Sequence, residues 1–255
     1  MLLTIDVGNT NINLGVFQDD QLRATWRWAT DSERTPDEYA AMLMALLPGS
    51  GIAFPNVRDV VICSGVPPLV TTFQELCARY FSASPLVVGA GVKTGVRVLY
   101  ENPRDVGADR IADAVAAHRI YGGPAIVVDC GTATVLDAIT AEGDYLGGAI
   151  APGIQISVDA LASRTSLLRR VELVAPKQAI GRNTVHSMQA GVVFGYVGLI
   201  EGLIRRFKQE MEGEARVIGT GGLVDLIARE CPTIYVVDRD LTLHGLRIIH
   251  ELNRA

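Results

Sequence analysis

The sequence predicts an α/β protein built from two similar halves, each a mixed β-sheet with flanking helices. An apolar strand that ends in the pattern Asp-x-Gly-polar occurs twice, at Asp6 and at Asp129. Each copy is followed by a return strand and a third strand joined by short polar turns, which is the pattern of a β-meander. We interpret the repeat as an internal duplication, with one domain at residues 1–115, a second at residues 116–255 and a cleft between them.

Strand and helix signals run along the whole first half. Thr35 fits a helix N-cap, Pro36 the first helical position and Glu38 the closing residue of a capping box. A second helix and five strands complete this half. The predicted strands are Leu2–Asp6, Asn11–Phe17, Leu22–Trp28, Asp59–Val66 and Pro85–Gly89, and the second helix is Pro67–Phe81.

The second half repeats the order after a predicted helix at Ile111–Tyr121. Val96–Tyr100, shortly before that helix, also has the composition of a strand. We expect the last helix of the chain to pack back onto the first domain. The predicted strands of the second half are Ala125–Asp129, Val135–Thr140, Tyr145–Ile150 and Arg216–Ile218.

A predicted long helix, Thr184–Lys208, carries an unusual row of glycines. They stand at positions 191, 195, 198 and 202, so they share one helix face. Each glycine costs about 0.5–1 kcal/mol relative to alanine in a helix, so a compensating contact is expected. Close approach of another helix, within the subunit or across a dimer interface, would supply it. Close packing onto the sheet of the same domain would supply it equally well.

Composition and charge argue against several classes of protein. Hydrophobic residues make up 49% and charged residues 20% of the 255 positions, which is ordinary for a soluble protein. The net charge of −5 argues against a dedicated nucleic-acid binder. The four scattered cysteines form no CxxC pair, so neither a zinc site nor a disulfide framework is expected. The start of the chain does not resemble a signal peptide, and Met188–Ile204 is interrupted by Gln189 and Glu201. We therefore expect a cytoplasmic protein with no membrane partner.

Three glycine-containing turns are candidates for nucleotide binding. Asp6-Val7-Gly8-Asn9-Thr10 could wrap a phosphate with N–H and O–H donors, and its aspartate could hold Mg²⁺. Taken alone, it could equally be an ordinary hairpin turn. Asp129-Cys130-Gly131-Thr132-Ala133-Thr134 repeats the arrangement in the second half. Gly219-Thr220-Gly221-Gly222 follows another apolar strand and would allow close approach of a ribose or a planar ring. Together the three turns favour a polyphosphate held from two sides.

The sequence Gly107-Ala108-Asp109-Arg110 opens the helix that precedes the second half. An aspartate in the first turn is stabilised by the helix dipole, so this pattern alone also fits simple helix-start chemistry. A carboxylate at this place could accept a proton from an attacking hydroxyl group. Phosphoryl transfer needs little early proton removal, so a weak base would serve. Arg110 could pair with a carboxylate of the substrate.

Other nucleotide and metal motifs are missing from the sequence. It contains no GxxxxGK[ST] and is therefore not a P-loop enzyme. Gly89–Gly95 resembles a dinucleotide fingerprint with the wrong spacing. The four histidines form no metal-ligand or triad pattern. Lysine is scarce, with Lys93, Lys177 and Lys208 as its three occurrences.

These motifs, in this order and spacing, resemble those of the type III pantothenate kinases of the actin-like ATPase superfamily. The resemblance runs from residue 2 to about residue 245. The first phosphate turn is general to the superfamily, whereas the combination of GADR with IGxNT is specific to this family. The further segments that carry the resemblance are Gly147–Gly153, Ile180-Gly181-Arg182-Asn183-Thr184 and Ser187-Met188-Gln189.

The resemblance implies two ribonuclease H-like domains and the transfer of a phosphoryl group from ATP to the primary hydroxyl of pantothenate, the first step of coenzyme A synthesis. It implies that Asp109 accepts the proton and that Mg²⁺ lies at or near Asp6. Asp129 would hold a monovalent cation, K⁺ or NH₄⁺. It also implies a homodimer in which Thr184 completes the pocket of the partner subunit. The implied ATP-binding residues are Asp6, Val7, Gly8, Asn9, Thr10, Asn11, Ile12, Asn13 and Thr132, and we add Gly219, Gly221 and Gly222 from the third turn. The implied pantothenate-binding residues are Tyr100, Gly107, Ala108, Asp109, Arg110 and Thr184.

The chain departs from the family pattern at two places. Val135 stands where the second phosphate motif usually continues with threonine, and Leu168-Arg169-Arg170 stands where a proline is usual. Two other functions remain open from the sequence. One is a sugar or acetate-type kinase of the same superfamily, which would lack the pairing of GADR with IGxNT. The other is an ATP-binding regulatory protein, which would not need Asp109.

Overall fold

The structure, a computed structural model, describes residues 1–254 and divides into two compact units. The first unit contains Met1–Gly95, Asn102–Ala116 and the chain from Thr242 onward. The second contains Val96–Glu101 and Ala117–Leu241. The chain therefore passes between the units more than once, and six residues just before the GADR motif belong to the second unit.

The sheet of the first unit has five strands. Leu2–Val7 (β1), Asn11–Gln18 (β2) and Gln21–Ala29 (β3) form an antiparallel meander, because short polar turns separate them. Asp59–Ser64 (β4) and Leu86–Val87 (β5) continue the sheet in parallel on the other side of β1. The order is β3-β2-β1-β4-β5, which leaves β1 at the centre.

Four helices belong to the first unit. They are Pro36–Gly49 (α1), Pro67–Leu76 (α2), Ala108–Ala116 (α3) and Leu241–Asn253 (α7), the last of which begins at the unit boundary. The predicted capping box of α1 is present, with Thr35 and Glu38 bonded reciprocally. Cys77–Phe81 and Ala117–Tyr121 extend α2 and α3 as π-helical turns. A Cβ on Gly245 would lie 1.9 Å from the carbonyl oxygen of Ala112, so the glycine permits close packing of α7 on α3.

The sheet of the second unit repeats the first. Ala125–Cys130 (β6), Ala133–Ile139 (β7) and Tyr145–Pro152 (β8) form the meander, and Arg216–Thr220 (β9) and Val236–Val237 (β10) add in parallel. The order β8-β7-β6-β9-β10 matches the first sheet strand for strand. The predicted fold class, two mixed sheets with flanking helices related by duplication, is confirmed.

The helices of the second unit cover a separate hydrophobic core. They are Ile154–Arg164 (α4), Thr184–Glu210 (α5) and Val224–Ala228 (α6). Val192, Tyr196, Ile200 and Ile204 line one face of α5 and pack against strand residues such as Leu136. The apolar character of α5 is therefore explained by core packing on this face.

Two local expectations differ from the structure. Val96–Tyr100 is not a strand. It runs beside the edge strand β8 only briefly, so it makes a single parallel bridge, between Val98 and Tyr145. The glycines of α5 do not pack on the sheet of their own unit. A Cβ on Gly191, Gly195 or Gly198 would meet nothing within 4 Å among the described residues, apart from its chain neighbours and the nearby backbone of α5 itself. Of the two explanations for the glycine row, packing on the sheet is therefore wrong for these three positions.

α5 is also the one helix among residues 1–254 that is long and apolar enough to span a membrane by length and composition. Its most apolar window is 44% buried within the protein. Core helices of soluble proteins meet the same criterion, so this finding is weak evidence for a membrane span.

The capping box yields a stability prediction. We expect Thr35→Ala to lower the free energy of unfolding by about 1 kcal/mol, because the backbone N–H of Glu38 loses its acceptor. Urea unfolding followed by circular dichroism would measure it. Thr71→Ala, an exposed change inside α2, is the control and should cause no loss, since alanine is the better helix former. Equal effects of the two substitutions would contradict a role for the cap.

Candidate active site

Polar turns follow the parallel strands of the first unit at their carboxyl ends. Asp6 lies near the end of β1, and Gly65 follows the end of the adjacent strand β4. Ligands of open α/β sheets bind at this edge because several strand ends converge there. The N–H of Gly65 donates to the carbonyl of Val7 over 2.9 Å, which joins the two ends. The first predicted phosphate turn therefore lies where the fold favours a ligand.

The turn at Gly8–Thr10 is held in shape from its own unit. The N–H of Gly8 donates to the carbonyl of Asn11 at 2.9 Å, and a Cβ on Gly8 would lie 3.0 Å from that oxygen. The hydroxyl of Thr30 donates to the carbonyl of Gly8 at 2.6 Å. Val7 and Ile12 are completely buried, so neither residue exposes an atom to a nucleotide in this structure.

Both oxygens of the Asp6 carboxylate accept hydrogen bonds from uncharged donors. Asn13 Nδ2 donates to Oδ2 over 2.9 Å, and the Cys63 thiol donates to Oδ1 over 3.3 Å. Arg27 Nε donates in turn to Asn13 Oδ1 over 3.0 Å. Burial, followed by the nearby charge of Asp6, raises the pKa of Cys63 well above its ordinary value, so this thiol remains a protonated donor. The carboxylate is thereby fixed in orientation.

Asp6 has an unusual titration. Burial raises its pKa from 3.8 to about 6, and the hydrogen bond from Asn13 opposes that rise. The negative charge of Asp109 raises the pKa of Asp6 further, while the hydrogen bond from Cys63 lowers it. Two carboxylates of the first unit therefore repel each other, an arrangement that a bound cation would relieve.

Asp109 lies in the first turn of α3, as predicted. Its Oδ1 accepts from the backbone N–H of Arg110 at 2.9 Å, and the side chain is exposed. A Cβ on Gly107 would lie 2.3 Å from Asp109 Oδ1, so the glycine gives this carboxylate its room. The GADR motif therefore presents a carboxylate at a helix N-terminus.

The second phosphate turn and the third glycine turn meet in the second unit. They follow the neighbouring parallel strands β6 and β9. Gly221 has φ +91°, and a Cβ there would lie 2.2 Å from Asp129 Oδ1. The N–H of Leu223 donates to the carbonyl of Cys130 at 3.1 Å. The structure thus brings Asp129 and the third glycine turn together.

Thr132 packs closely against the segment Gly147–Gly153, whose sequence is GGAIAPG. A Cβ on Gly153 would lie 2.0 Å from the carbonyl oxygen of Thr132, so glycine is required for this contact. Another glycine of the segment, Gly147, contacts the ring of Tyr100, a predicted pantothenate-binding residue. The family segment therefore supports two predicted site residues.

Thr184 lies apart from the other predicted residues of its unit. It is the exposed first residue of α5, whose N-cap Asn183 accepts from the N–H of His186 at 2.8 Å. It lines a groove of about 1050 Å³ between α4 and α5. None of the predicted ATP-binding residues is among the residues that line this groove.

The described residues, 1–254, contain no group of three or more His, Cys, Asp and Glu side chains that could hold a metal. These four kinds of side chain therefore do not form a cation cage by themselves among the described residues. Mg²⁺ that is bound with nucleotide commonly takes one or two carboxylates and completes its shell with phosphate oxygens and water. Asp6, with both oxygens oriented, fits that mode.

Three residues of this site were not predicted as part of it. Cys63 appeared in the sequence as a small apolar residue of a buried strand, and Thr30 and Arg27 carried no motif. The signal for Cys63 was the polar Ser64-Gly65 that ends β4, because a parallel neighbour places its last residues beside those of β1. The register Asp6↔Cys63 then follows.

Solved structures with a similar fold span nearly the whole chain. A Campylobacter jejuni protein assigned to the Baf family of transcriptional activators aligns with a TM-score of 0.63 and 20% identity, with 98% of both chains covered. An inorganic polyphosphate/ATP-glucomannokinase from Arthrobacter sp. strain KM aligns with a TM-score of 0.52 and 16% identity, covering 99% of both. At these identities the likeness supports the fold alone.

Sequence comparison is more specific. The family model for type III pantothenate kinase matches residues 2–206. Type III pantothenate kinases from Dehalococcoides mccartyi strains BAV1 and CBDB1 are each 49% identical over 254 residues, covering 100% of this chain and 97% of theirs. A relative from strain 195 is also 49% identical. Because the match spans the full chain at this identity, the chain belongs to the type III pantothenate kinase family.

Proposed function

We propose that this chain transfers the γ-phosphoryl group of ATP to the primary hydroxyl of pantothenate, as the first step of coenzyme A synthesis. Family membership at 49% identity over the full chain supports the reaction. The observation that carries the chemical assignment is the pair of carboxylates in the first unit, the oriented Asp6 and the helix-start Asp109. The two groups have different surroundings, which suits them to different roles.

Asp109 is the proposed proton acceptor. Its carboxylate is exposed at the N-terminus of α3, where a substrate hydroxyl could reach it. The transition state of phosphoryl transfer is loose in most analyses, so orienting the hydroxyl and accepting its proton late in the step are sufficient. Gly107, Ala108 and Arg110 of the same motif, with Tyr100, are the proposed contacts of pantothenate, and Arg110 would pair with its carboxylate.

Asp6 is the proposed holder of Mg²⁺, directly or through water. A bound divalent ion would neutralise charge on the phosphates during transfer. The turn Val7–Asn13 would supply donors to those phosphates, and Thr132 would contact them from the second phosphate turn. Gly219, Gly221 and Gly222 would allow close approach of the adenosine.

Asp129 is the proposed ligand of a monovalent cation, K⁺ or NH₄⁺. A Cβ on Gly221 would lie 2.2 Å from its Oδ1 and one on Gly131 3.3 Å from the same oxygen, so glycines give this carboxylate its room. The chain has only three lysines and no P-loop lysine, so cations and backbone donors would neutralise the phosphates.

A homodimer is the proposed assembly. Gly191, Gly195 and Gly198 are exposed on α5 with open space before them, so nothing described in the chain compensates for their cost. Leu167 and Ile180 are 89% and 83% exposed, so the same unit also offers large apolar side chains to a partner. Thr184 of the partner subunit would then complete the pantothenate pocket. We propose a cytoplasmic enzyme without membrane or nucleic-acid partners.

The first prediction from the proposed function concerns the base. We expect Asp109→Asn to lower kcat for pantothenate phosphorylation by about 10²-fold or more, because the hydroxyl loses its proton acceptor. A coupled assay of ADP release with ATP, Mg²⁺, K⁺ and pantothenate measures it. Asp105→Asn, which removes an exposed charge four residues earlier, is the matched control and should retain activity.

The same assay separates this function from its alternatives. A sugar or acetate-type kinase would release ADP with those acceptors and not with pantothenate. A regulatory protein would bind ATP without acceptor-dependent release. Activity that survives Asp109→Asn would rule out the proposed base.

The second prediction concerns the pH dependence of stability. The pKa of Asp6 is raised in the folded state, so folding favours the protonated form of this carboxyl. Its contribution to the free energy of unfolding is fully present below about pH 4 and is lost as the pH rises through 6. We therefore expect Asp6→Asn, without nucleotide or metal, to raise the free energy of unfolding at pH 8 by about 1–3 kcal/mol. The gain in stability should shrink as the pH falls from 6 to 4. We also expect Asp6→Asn to lose activity.

Urea unfolding at a series of pH values measures this effect, with Asp105→Asn again as the control for an exposed carboxylate. Two results would contradict this account: a gain in the free energy of unfolding that does not change with pH, or a loss at pH 8. Either would show that the folded protein does not disfavour the charged form of Asp6.

The third prediction concerns the glycine face. We expect Gly195→Leu to weaken the dimer, measured by sedimentation equilibrium, because a side chain would separate the two helices. The isolated chain has open space there, so its own stability should not fall. Gly49→Leu is the control, since Gly49 is also helical with open space before it. Unchanged dimerisation of Gly195→Leu would exclude this face as the interface.

A further inference from the structure

Residues 96–101, which carry Tyr100, run beside the edge strand β8 in the second unit. The N–H of Tyr145 donates to the carbonyl of Arg97 at 2.9 Å, and the N–H of Leu99 donates to the carbonyl of Tyr145 at 2.8 Å. These two bonds form the single parallel bridge of the segment, at Val98. They join the segment to β8 on either side of Val98.

An ion pair reinforces this short contact. Arg97 Nε donates to Asp144 Oδ1 at 3.1 Å, and a second guanidinium nitrogen donates to Oδ2, so the pair is bidentate. Asp144 immediately precedes Tyr145, and its side chain is 15% exposed, against 72% for Arg97. The hydrogen bond and the charge of Arg97 hold the pKa of Asp144 below its ordinary value. The pair is therefore ionised at neutral pH.

The ring of Tyr100 rests on a surface built for it by β8. Gly147 has φ +137°, and a Cβ there would lie 3.4 Å and 3.5 Å from two ring carbons of Tyr100. The centroids of the Tyr100 and Tyr145 rings are 6.3 Å apart. The Tyr145 hydroxyl donates to the buried Asp137 at 2.8 Å, and this hydrogen bond fixes the orientation of the Tyr145 ring. Tyr145 and Gly147 thus define where Tyr100 can lie.

A purely structural role would be to cover the edge of β8, because open edges invite pairing with other chains. That role needs no bidentate ion pair and no glycine under an aromatic ring. Exposed ion pairs contribute little to global stability, so the pair at Arg97 is better explained by local order.

We propose that the Arg97–Asp144 ion pair and Gly147 position Tyr100 for pantothenate, and so set the KM for this substrate. Arg97, Asp144 and Gly147 are positioning residues, since they act through Tyr100. The inference rests on the proposed function, in which Tyr100 contacts pantothenate. An ordered Tyr100 is available for binding without a further entropic cost, whereas a loosened segment must be ordered by the substrate.

The test uses the full chain and compares Asp144→Asn, Arg97→Asp and the exchange Arg97→Asp with Asp144→Arg. We expect each single variant to raise the KM for pantothenate about two- to fivefold, the scale of an exposed ion pair. The kcat and the KM for ATP should be unchanged. The exchange should restore part of the affinity. Gly147→Ala should raise the KM more, since a φ of +137° strains alanine and relaxing that strain would shift the backbone beneath the ring.

The matched control is Glu75→Gln, which breaks an exposed arginine–carboxylate pair on α2. It should leave every kinetic constant unchanged. Unchanged KM for pantothenate in both single variants, with the wild type active, would overturn the inference and leave the proposed function intact. A wild type that does not phosphorylate pantothenate would overturn the proposed function.

Hydrogen exchange at the Leu99 amide tests, independently of activity, whether the Arg97–Asp144 ion pair orders residues 96–101. We expect faster exchange in Asp144→Asn and Arg97→Asp than in the wild type, partial recovery in the exchange variant, and no change in Glu75→Gln. Equal exchange in all variants would overturn the role of the ion pair whatever the substrate is.

Discussion

The site depends on one constraint, the partly buried carboxylate of Asp6, for which we propose a cation. Asp6 lies near the end of the central strand of the first unit, where burial and the charge of Asp109 oppose its ionisation. An amide and a protonated thiol orient it without neutralising it. Such an arrangement reduces stability in the absence of ligand and is typical of functional sites, where polar groups are positioned for a partner that arrives later.

The duplication explains why similar turns recur in the two units. Both sheets have the same strand order, so the polar turn after the central strand occupies the same place in each. The surroundings then differ. Asp6 is bonded to Asn13 and Cys63, whereas Asp129 lies against the backbone of Gly221. One ancestral turn has thus acquired two environments, which fits the different cations proposed for the two aspartates.

Much of the fold could be predicted because it depends on local signals. The capping box at Thr35, the meander turns and the repeated strand pattern are each encoded within a few residues. Cys63 was missed, since its bond to Asp6 depends on the register of two strands, and the two residues are 57 positions apart in sequence. Val96–Tyr100 contacts residues more than 40 positions later in the chain, such as Asp144 through Arg97, and composition alone predicted a strand. The glycine row of α5 was visible, but only the open space before it distinguishes between its explanations.

The most direct test of this account is a pH titration of the Asp6 carboxyl carbon by NMR, assigned by its absence in Asp6→Asn. Without ligands the account predicts a midpoint at about pH 6. With Mg²⁺ and ATP the midpoint should fall, because a cation at this carboxylate stabilises its charged form. A midpoint near the ordinary value without ligands, or one that Mg²⁺ and ATP leave unchanged, would contradict the central claim.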